Sequence, residues 1–293
     1  MKLSKGMKIF NIINIFIMLC VCLITVYPFI NIIARSFSQE AFINAGSVSV
    51  YPKGFNVDAY WLCVSNPNFI RGYLNTLLYT ATAVITCLVL TVLCAYPLSK
   101  NNLPGRRIFV KFMMFTMFFG GGMIPNFLLV KSLHMFNTMW AIIIPGSISV
   151  WNVVIMITFF QGIPSSLEEA AQIDGLGMFG TLWYVVIPLS KPIFATMVLF
   201  FAVGTWNNWF GPLIYFSDNS KYPITLFLRN ILMASQKLSA TSSEINNLLS
   251  QDQMPAESLK AASIVTVTLP ILCLYPFAQK YFVKGMTIGS VKG

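Results

Sequence analysis

The residues whose types and spacing could do chemistry are few, and most lie in one short stretch. It reads Gly162-Ile163-Pro164-Ser165-Ser166-Leu167-Glu168-Glu169-Ala170-Ala171-Gln172-Ile173-Asp174-Gly175 and holds three of the chain's nine carboxylates. The pattern predicts a short helix. Ser165 with Glu168, or Ser166 with Glu169, has the spacing of a capping box. Carboxylates near the start suit the positive end of the helix dipole, Ala170 and Ala171 are strong helix formers, and Gly175 is a natural left-handed stop. Leu167, Ala170, Ala171 and Asp174 fall at helical spacing, which predicts one small, smooth face. Two readings follow. The helix lies on a membrane surface, or it docks into a partner, its small face allowing close approach and its glutamates anchoring the contact. Helix physics alone leaves both open.

Other chemistry is missing. The one histidine, His134, has no evident acid or nucleophile beside it, and there is no HExxH, no C-x-x-C pair and no G-x-x-x-x-G-K-[ST] phosphate loop. No catalytic, cofactor-binding or metal-ligating residue is therefore expected. If the chain's work uses ATP, another chain binds it. All nine carboxylates fall outside the apolar runs, which argues against a proton-driven carrier, since such carriers need a titratable group inside the membrane. Sodium coupling through backbone carbonyls stays open.

The elements that must position these residues follow from composition. Of 293 residues, 56% are hydrophobic and only 10% charged, against roughly 25% charged in a soluble domain. A soluble globule could not cover its surface with so few charges, and a disordered chain would not be so apolar. Six cysteines, five of them in apolar runs, do not make a disulfide framework. The expectation is an all-α integral membrane protein, one transmembrane domain over 1–293. A crossing helix needs about 20 apolar residues, and six runs qualify, at about 9–33, 74–97, 108–130, 138–160, 185–209 and 261–281. Gly120-Gly121-Gly122 and Pro125 should bend or unwind the third; a gate hinge and close helix packing are equally open there. The first run follows Lys2, Lys5 and Lys8 but is too long for a signal-peptide core, so it reads as an uncleaved span.

Nineteen basic against nine acidic residues give a net charge of +10. Basic density is higher in the segments on the side of the N-terminus: Lys2, Lys5 and Lys8, then Lys100, Arg106, Arg107 and Lys111, then Lys191, then Lys280, Lys284 and Lys292. That side is the cytoplasm by the positive-inside rule, and an even number of spans puts both termini there. The basic residues form no face, so no nucleic-acid partner is expected. Segments of about 34–73 and 210–260 lie outside. The second is polar and reads as a loop, except that Pro223-Ile224-Thr225-Leu226-Phe227-Leu228 is apolar enough to pack.

Glu169-Ala170-Ala171, Asp174-Gly175 and Ile187-Pro188-Leu189 with Pro192 resemble the "EAA" loop of binding-protein-dependent ABC importer permeases. Asn75-Thr76-Leu77, Ala95-Tyr96-Pro97-Leu98-Ser99-Lys100, Gly121-Gly122-Met123-Ile124-Pro125, Trp206-Asn207-Asn208-Trp209 and the C-terminal Gly289-Ser290-Val291-Lys292-Gly293 extend the likeness over nearly the whole chain. It is similar to the maltose-type second permease, and more closely to the branch importing complex oligosaccharides. The resemblance implies a type I ABC importer permease fold in a bacterial cell membrane. It implies a second permease as heterodimer partner, two cytoplasmic ATP-binding subunits holding ATP and Mg, an extracellular solute-binding protein and an oligosaccharide substrate. Within the cytoplasmic loop 161–184, it makes Glu169, Ala170, Ala171, Asp174 and Gly175 the coupling helix. In the tail 282–293, it places Gly289, Ser290, Lys292 and Gly293 against the ATPase subunits, where a frayed terminus is the bland reading.

A sugar path is expected of aromatics that stack on pyranose faces and amides that bond hydroxyls. Trp206, Asn207, Asn208 and Trp209 near the end of the fifth span, and Trp151 and Asn152 in the fourth, have the right types. Interfacial Trp and helix-bridging Asn are the plain alternatives. The competing functions are the same machinery for another solute, a non-transporting membrane scaffold and, more remotely, an ion channel, for which no filter of charges or carbonyls is evident.

Overall fold

The computed structural model describes residues 4–240 and 257–289. Among them the regular secondary structure is all helical, with one isolated β-bridge, Ser38 to Phe55. Helices α1 (Lys5–Ser36), α4 (Pro67–Ser99) and α15 (Glu257–Gly289) are the long ones, and each holds an apolar stretch sufficient to cross a bilayer alone. Three bent pairs supply the remaining crossings: α5 (Arg106–Phe118) with α6 (Met123–Ser132), Trp140–Gly146 with α8 (Val150–Gln161), and Met178–Leu189, which holds α10 (Met178–Thr181) and α11 (Ile187–Leu189), with α12 (Lys191–Trp206). Counting each pair as one gives six spans.

The bends correct the sequence expectation in detail. The third span turns by 113° between Phe118 and Met123, where Gly122 has φ +86°. Glycine adopts that conformation without Cβ strain, so this break was legible. The fourth span, expected unbroken over 138–160, turns by 52° after Gly146; α7 (Trp140–Ile143) runs into a 3₁₀ turn over Ile144–Gly146. The fifth was expected to start near 185. It starts at Met178, turns by 84° at Ser190 and ends at Trp206. Pro188 and Pro192 have no N–H to give the preceding turn, and the ladder loosens into a π-turn over Leu182–Val186.

The described residues form two compact units. One comprises residues up to Ile70 with Phe227–Leu269; the other comprises Arg71–Leu226 with residues from Pro270 onward. In the first unit, none of the apolar stretch of α1 is buried, as befits a helix greasy on every side. Beyond it, α2 (Glu40–Asn44) and α3 (Asp58–Ser65) form a small polar-linked cap. Ser36 and Tyr60 hydroxyls meet at 2.7 Å, and the Phe37 ring lies 4.9 Å from Tyr60 and 5.6 Å from Phe55.

The core of the second unit is built by α4, α8, the π-turn and α12. Ala95, Val153, Met156, Val186 and Met197 are fully buried there. Met156–Phe160 and Ile193–Met197–Phe201 recur every four residues, one stripe per helix. The segment expected to be a loop after the fifth span instead carries α13 (Phe210–Tyr215) and the start of α14 (Ile224–Ala240). Ile224 and Leu226 are completely buried, so the apolar stretch at 223–228 does pack.

Candidate functional site

The loop between the fourth and fifth spans folds as α9 (Ser165–Ile173). Its N-cap is Pro164, and no side chain caps it. The capping box expected of Ser165/Glu168 or Ser166/Glu169 does not form, because the N-cap falls on Pro164 and both serines lie inside the first turn. Its C-terminus matches expectation. Gly175 has φ +87°; its N–H bonds Gln172 O at 3.0 Å, and Leu176 N–H bonds Ala171 O at 2.9 Å. This is a Schellman stop with both closing bonds in place.

The expected smooth face is redistributed. Ala171 and Glu168 are buried, while Glu169, Ala170, Asp174 and Gly175 are exposed. Consecutive residues sit 100° apart on a helix, so Ala170 and Ala171 cannot share one burial state when the boundary passes between them. The open face is Glu169, Ala170 and Ile173, the last 86% exposed. Ile173 was missed because an apolar residue on a short helix reads as core.

The inward face is held by charge. The Glu168 carboxylate pairs with Lys100, the residue just beyond α4. The Lys100 ammonium lies 4.4 Å from the centroid of the Tyr96 ring, a cation–π distance. Tyr96 is buried and meets Phe160 of α8 edge-on at 6.1 Å. Around this pair the last carbonyls of α4 are satisfied by side chains. Arg106 Nε donates to Leu98 O at 2.7 Å, and Gln161 Nε2 to Ser99 O at 3.5 Å. Such carbonyls have no partner within their own helix. The signal for Lys100–Glu168 was present only as two separate motifs, 68 residues apart.

The sugar-path candidates divide. Trp206 is 5% exposed and packs edge-on against Tyr73 at 5.7 Å. Asn207 is exposed after the last turn of α12, and Asn208 is half-buried with its Oδ1 accepting from Gly211 N at 3.0 Å, which shapes the turn into α13. Trp209 is exposed with Phe210 edge-on at 5.5 Å. In the first turn of α8, Trp151 is exposed and Asn152 half-buried. Trp206 thus serves packing in this chain, while Trp151, Asn207 and Trp209 offer surface.

A network that sequence reasoning named only as a motif explains Asn75-Thr76. Asn75 Nδ2 donates to Ser220 O at 2.8 Å and Tyr222 O at 3.2 Å. Thr76 Oγ1 accepts from Ile224 N at 2.8 Å and donates to Gly72 O at 2.7 Å. Tyr79 donates to Lys221 O at 3.0 Å, and Lys221 Nζ to Asn137 O at 2.8 Å. A Cβ on Gly72 would stand 3.4 Å from the Ile224 backbone, so α4 and the 220–224 backbone are in close approach. On the same segment, hydrogen bonds from Ser220 hold the Asp218 carboxyl below the usual range, with Lys221 and Arg71 adding to the effect. Of the tail candidates, Gly289 is the last residue of α15, and Ser290, Lys292 and Gly293 lie outside the described residues.

Comparison with known proteins agrees over the whole length. Residues 67–288 match the family described as "Binding-protein-dependent transport system inner membrane component". Protein LplC of Bacillus subtilis (strain 168) is 41% identical over 290 residues, 99% of this chain and 97% of its own. The polygalacturonan/rhamnogalacturonan transport system permease protein YtcP of the same strain is 39% identical, covering 98% and 99%. A solved chain from a bacterial ABC transporter involved in the import of the acidic polysaccharide alginate superposes with a TM-score of 0.86 at 33% identity, covering 96% of this chain and 99% of that one. The chain belongs to the family of inner membrane components of binding-protein-dependent transport systems.

Proposed function

We propose that this chain is one permease subunit of an ATP-driven importer that moves oligosaccharides across a bacterial cell membrane by alternating access. It is read as a single permease domain with both termini cytoplasmic, 161–184 as the coupling loop and 282–293 as the tail. A second permease is its heterodimer partner. Two cytoplasmic subunits bind ATP and Mg, and an extracellular solute-binding protein delivers the sugar.

The observation that carries this reading is α9. It is a short helix gripped on one face, stopped at Gly175, and open on the face of Glu169, Ala170 and Ile173. Such a face suits a cleft in another protein better than a flat lipid surface, because its charge and its apolar residues are interleaved rather than segregated. Closure of the ATP-binding subunits moves the helix they hold. The spans then rock from inward-open to outward-open without any carboxylate inside the membrane. The relatives that transport polygalacturonan and alginate favour uronate-containing oligosaccharides as the substrate class. Trp151, Asn152, Asn207 and Trp209 offer groups for ring stacking and hydroxyl bonding, with Trp206 and Asn208 supporting that wall.

The test is purification of the tagged chain in mild detergent, identification of its companions, and an ATP hydrolysis assay. A second six-span permease, a P-loop ATPase and hydrolysis stimulated by a solute-binding protein are expected. The binding protein, screened against oligogalacturonates, alginate fragments and neutral oligosaccharides, then names the sugar. A chain that purifies with partners that hydrolyse no ATP would replace the importer with a membrane scaffold.

A further inference from the structure

Besides its packing against the helical turn over Met178–Thr181 and the π-turn, three routes lead out of α9. Two are covalent. Toward α8 the chain is only Gly162-Ile163-Pro164, tied down by bonds from Gly162 N to Phe159 O and from Ile163 N to Phe160 O, both 3.0–3.2 Å. Toward α12 it passes Gly175, Gly177 and Gly180, the π-turn and the 84° bend at Ser190. That second route is compliant, since each irregularity absorbs displacement before it reaches α12. The third route is not covalent. Lys100–Glu168 is the ion pair that joins α9 to another element among the described residues.

We propose that Lys100, clamped between the Glu168 carboxylate and the Tyr96 ring, is the strut that delivers movement of α9 to α4. These are positioning residues for coupling: they touch neither sugar nor nucleotide. The geometry favours a strut over a decorative surface pair. The side chains of Lys100 and Glu168 are only 22% and 11% exposed, so solvent screens their attraction weakly. Tyr96 is buried, and with Cys87, Val92, Ala95 and Leu98 it sits in the stripe of α4 that packs into the unit's core. A displacement of Glu168 therefore acts on a packed helix, and packed cores shift as units rather than deform. Glu168 and Glu169 are neighbours with separate work: Glu169 faces outward on the open face, and Glu168 carries the movement inward.

The inference rests on the importer reading, and its test separates the two. The assembled complex, with partner permease, ATPase and binding protein, is assayed for hydrolysis of Mg-ATP with and without the binding protein. Wild type, Lys100→Glu, Glu168→Lys and the double swap are compared. Each single reversal is expected to lower the ratio of stimulated to unstimulated hydrolysis by about tenfold, within the range of site-to-site coupling, while the ATPase still co-purifies. The double swap should restore the ratio to within about threefold, because the pair is re-formed with opposite sign. Single variants that keep the wild-type ratio would overturn the strut. So would singles that lose the ATPase and are not repaired by the double swap, which would assign the pair to folding. Wild-type complex without stimulated hydrolysis would instead overturn the importer reading itself.

Discussion

The start of α15 and the loop that carries α9 both place carboxylates at helix ends, and they use them in opposite ways. At α15, Glu40 accepts from Glu257 N at 2.8 Å and Ser258 N at 3.0 Å, one backbone donor on each oxygen. Glu257 pairs with Arg35 at 2.9 Å and with Lys260, and Cys63 Sγ meets Ser263 Oγ at 3.4 Å. That helix start is clamped from several sides. At α9 no side chain caps the first turn, one carboxylate is tied inward to Lys100, and the next faces out. The difference teaches that the same residue type can fix a helix in place or leave it a free face. What decides is whether its oxygens reach backbone donors or cations, as those of Glu40, Glu257 and Glu168 do, or stay at the surface, as at the exposed Glu169.

Substitutions on the open face should break this contrast most sharply. Ala170→Trp is expected to cut uptake by about a hundredfold, near the upper end of a coupling free energy, by filling the approach to α9. Its thermal melting in detergent should stay close to wild type, since exposed substitutions change stability by only about 0.5 kcal/mol. A large melting shift would show that Ala170 packs within this chain.

The clamped end should answer in the reverse pattern. Glu40→Ala leaves two backbone N–H groups without their carboxylate and should cost about 2 kcal/mol of stability, read as a lower melting temperature. Glu40→Gln, which keeps one acceptor, should lose less. The ratio of stimulated to unstimulated ATP hydrolysis should be the same in both as in wild type; a changed ratio would join this end to coupling.

Gly175→Leu tests the stop of α9. Nothing lies within 4 Å of a Cβ there, so the penalty is the left-handed backbone itself, about 1–2 kcal/mol. Expected is reduced uptake with assembly intact, and a milder loss in Gly175→Asn, which tolerates that conformation better. Normal uptake by Gly175→Leu would count against a fixed helix stop in coupling.

The smallest effect concerns Asp218. Its carboxyl pKa is lowered from 3.8 by hydrogen bonds from Ser220. A depressed carboxylate contributes stability above its unfolded value and loses it as pH falls through the folded one. Asp218→Asn should therefore melt slightly below wild type at pH 7, and the gap should close as pH falls below about 4.

How far the sequence could be read is clear in particular residues. The six apolar runs and the break at Gly120–Gly122 were legible, because span length and glycine conformation are local properties. The stop at Gly175 was legible for the same reason. The bends at 147–149 and Ser190 were not, since proline and glycine within an apolar run permit a bend without setting its angle. Nor was the loss of the capping box at α9. Ser165 and Glu168 have the right spacing, but the helix begins one residue early with Pro164 at its N-cap, and Glu168 finds Lys100, a partner 68 residues away that spacing cannot reveal.

The sequence by itself determined that this chain lives in a membrane, that its nine carboxylates lie outside its apolar runs, and that one short helix with a glycine stop stands between two of those runs. Those properties follow from composition, periodicity and single-residue backbone preference. Only the tertiary structure decided which side of that helix faces the core. It also turned Trp206 against Tyr73 and gave Asn75 and Thr76 the backbone of 220–224 to hold. Burial and pairing are relations between distant segments. They exist only once α4, α8 and α12 have packed and fixed which side chains meet.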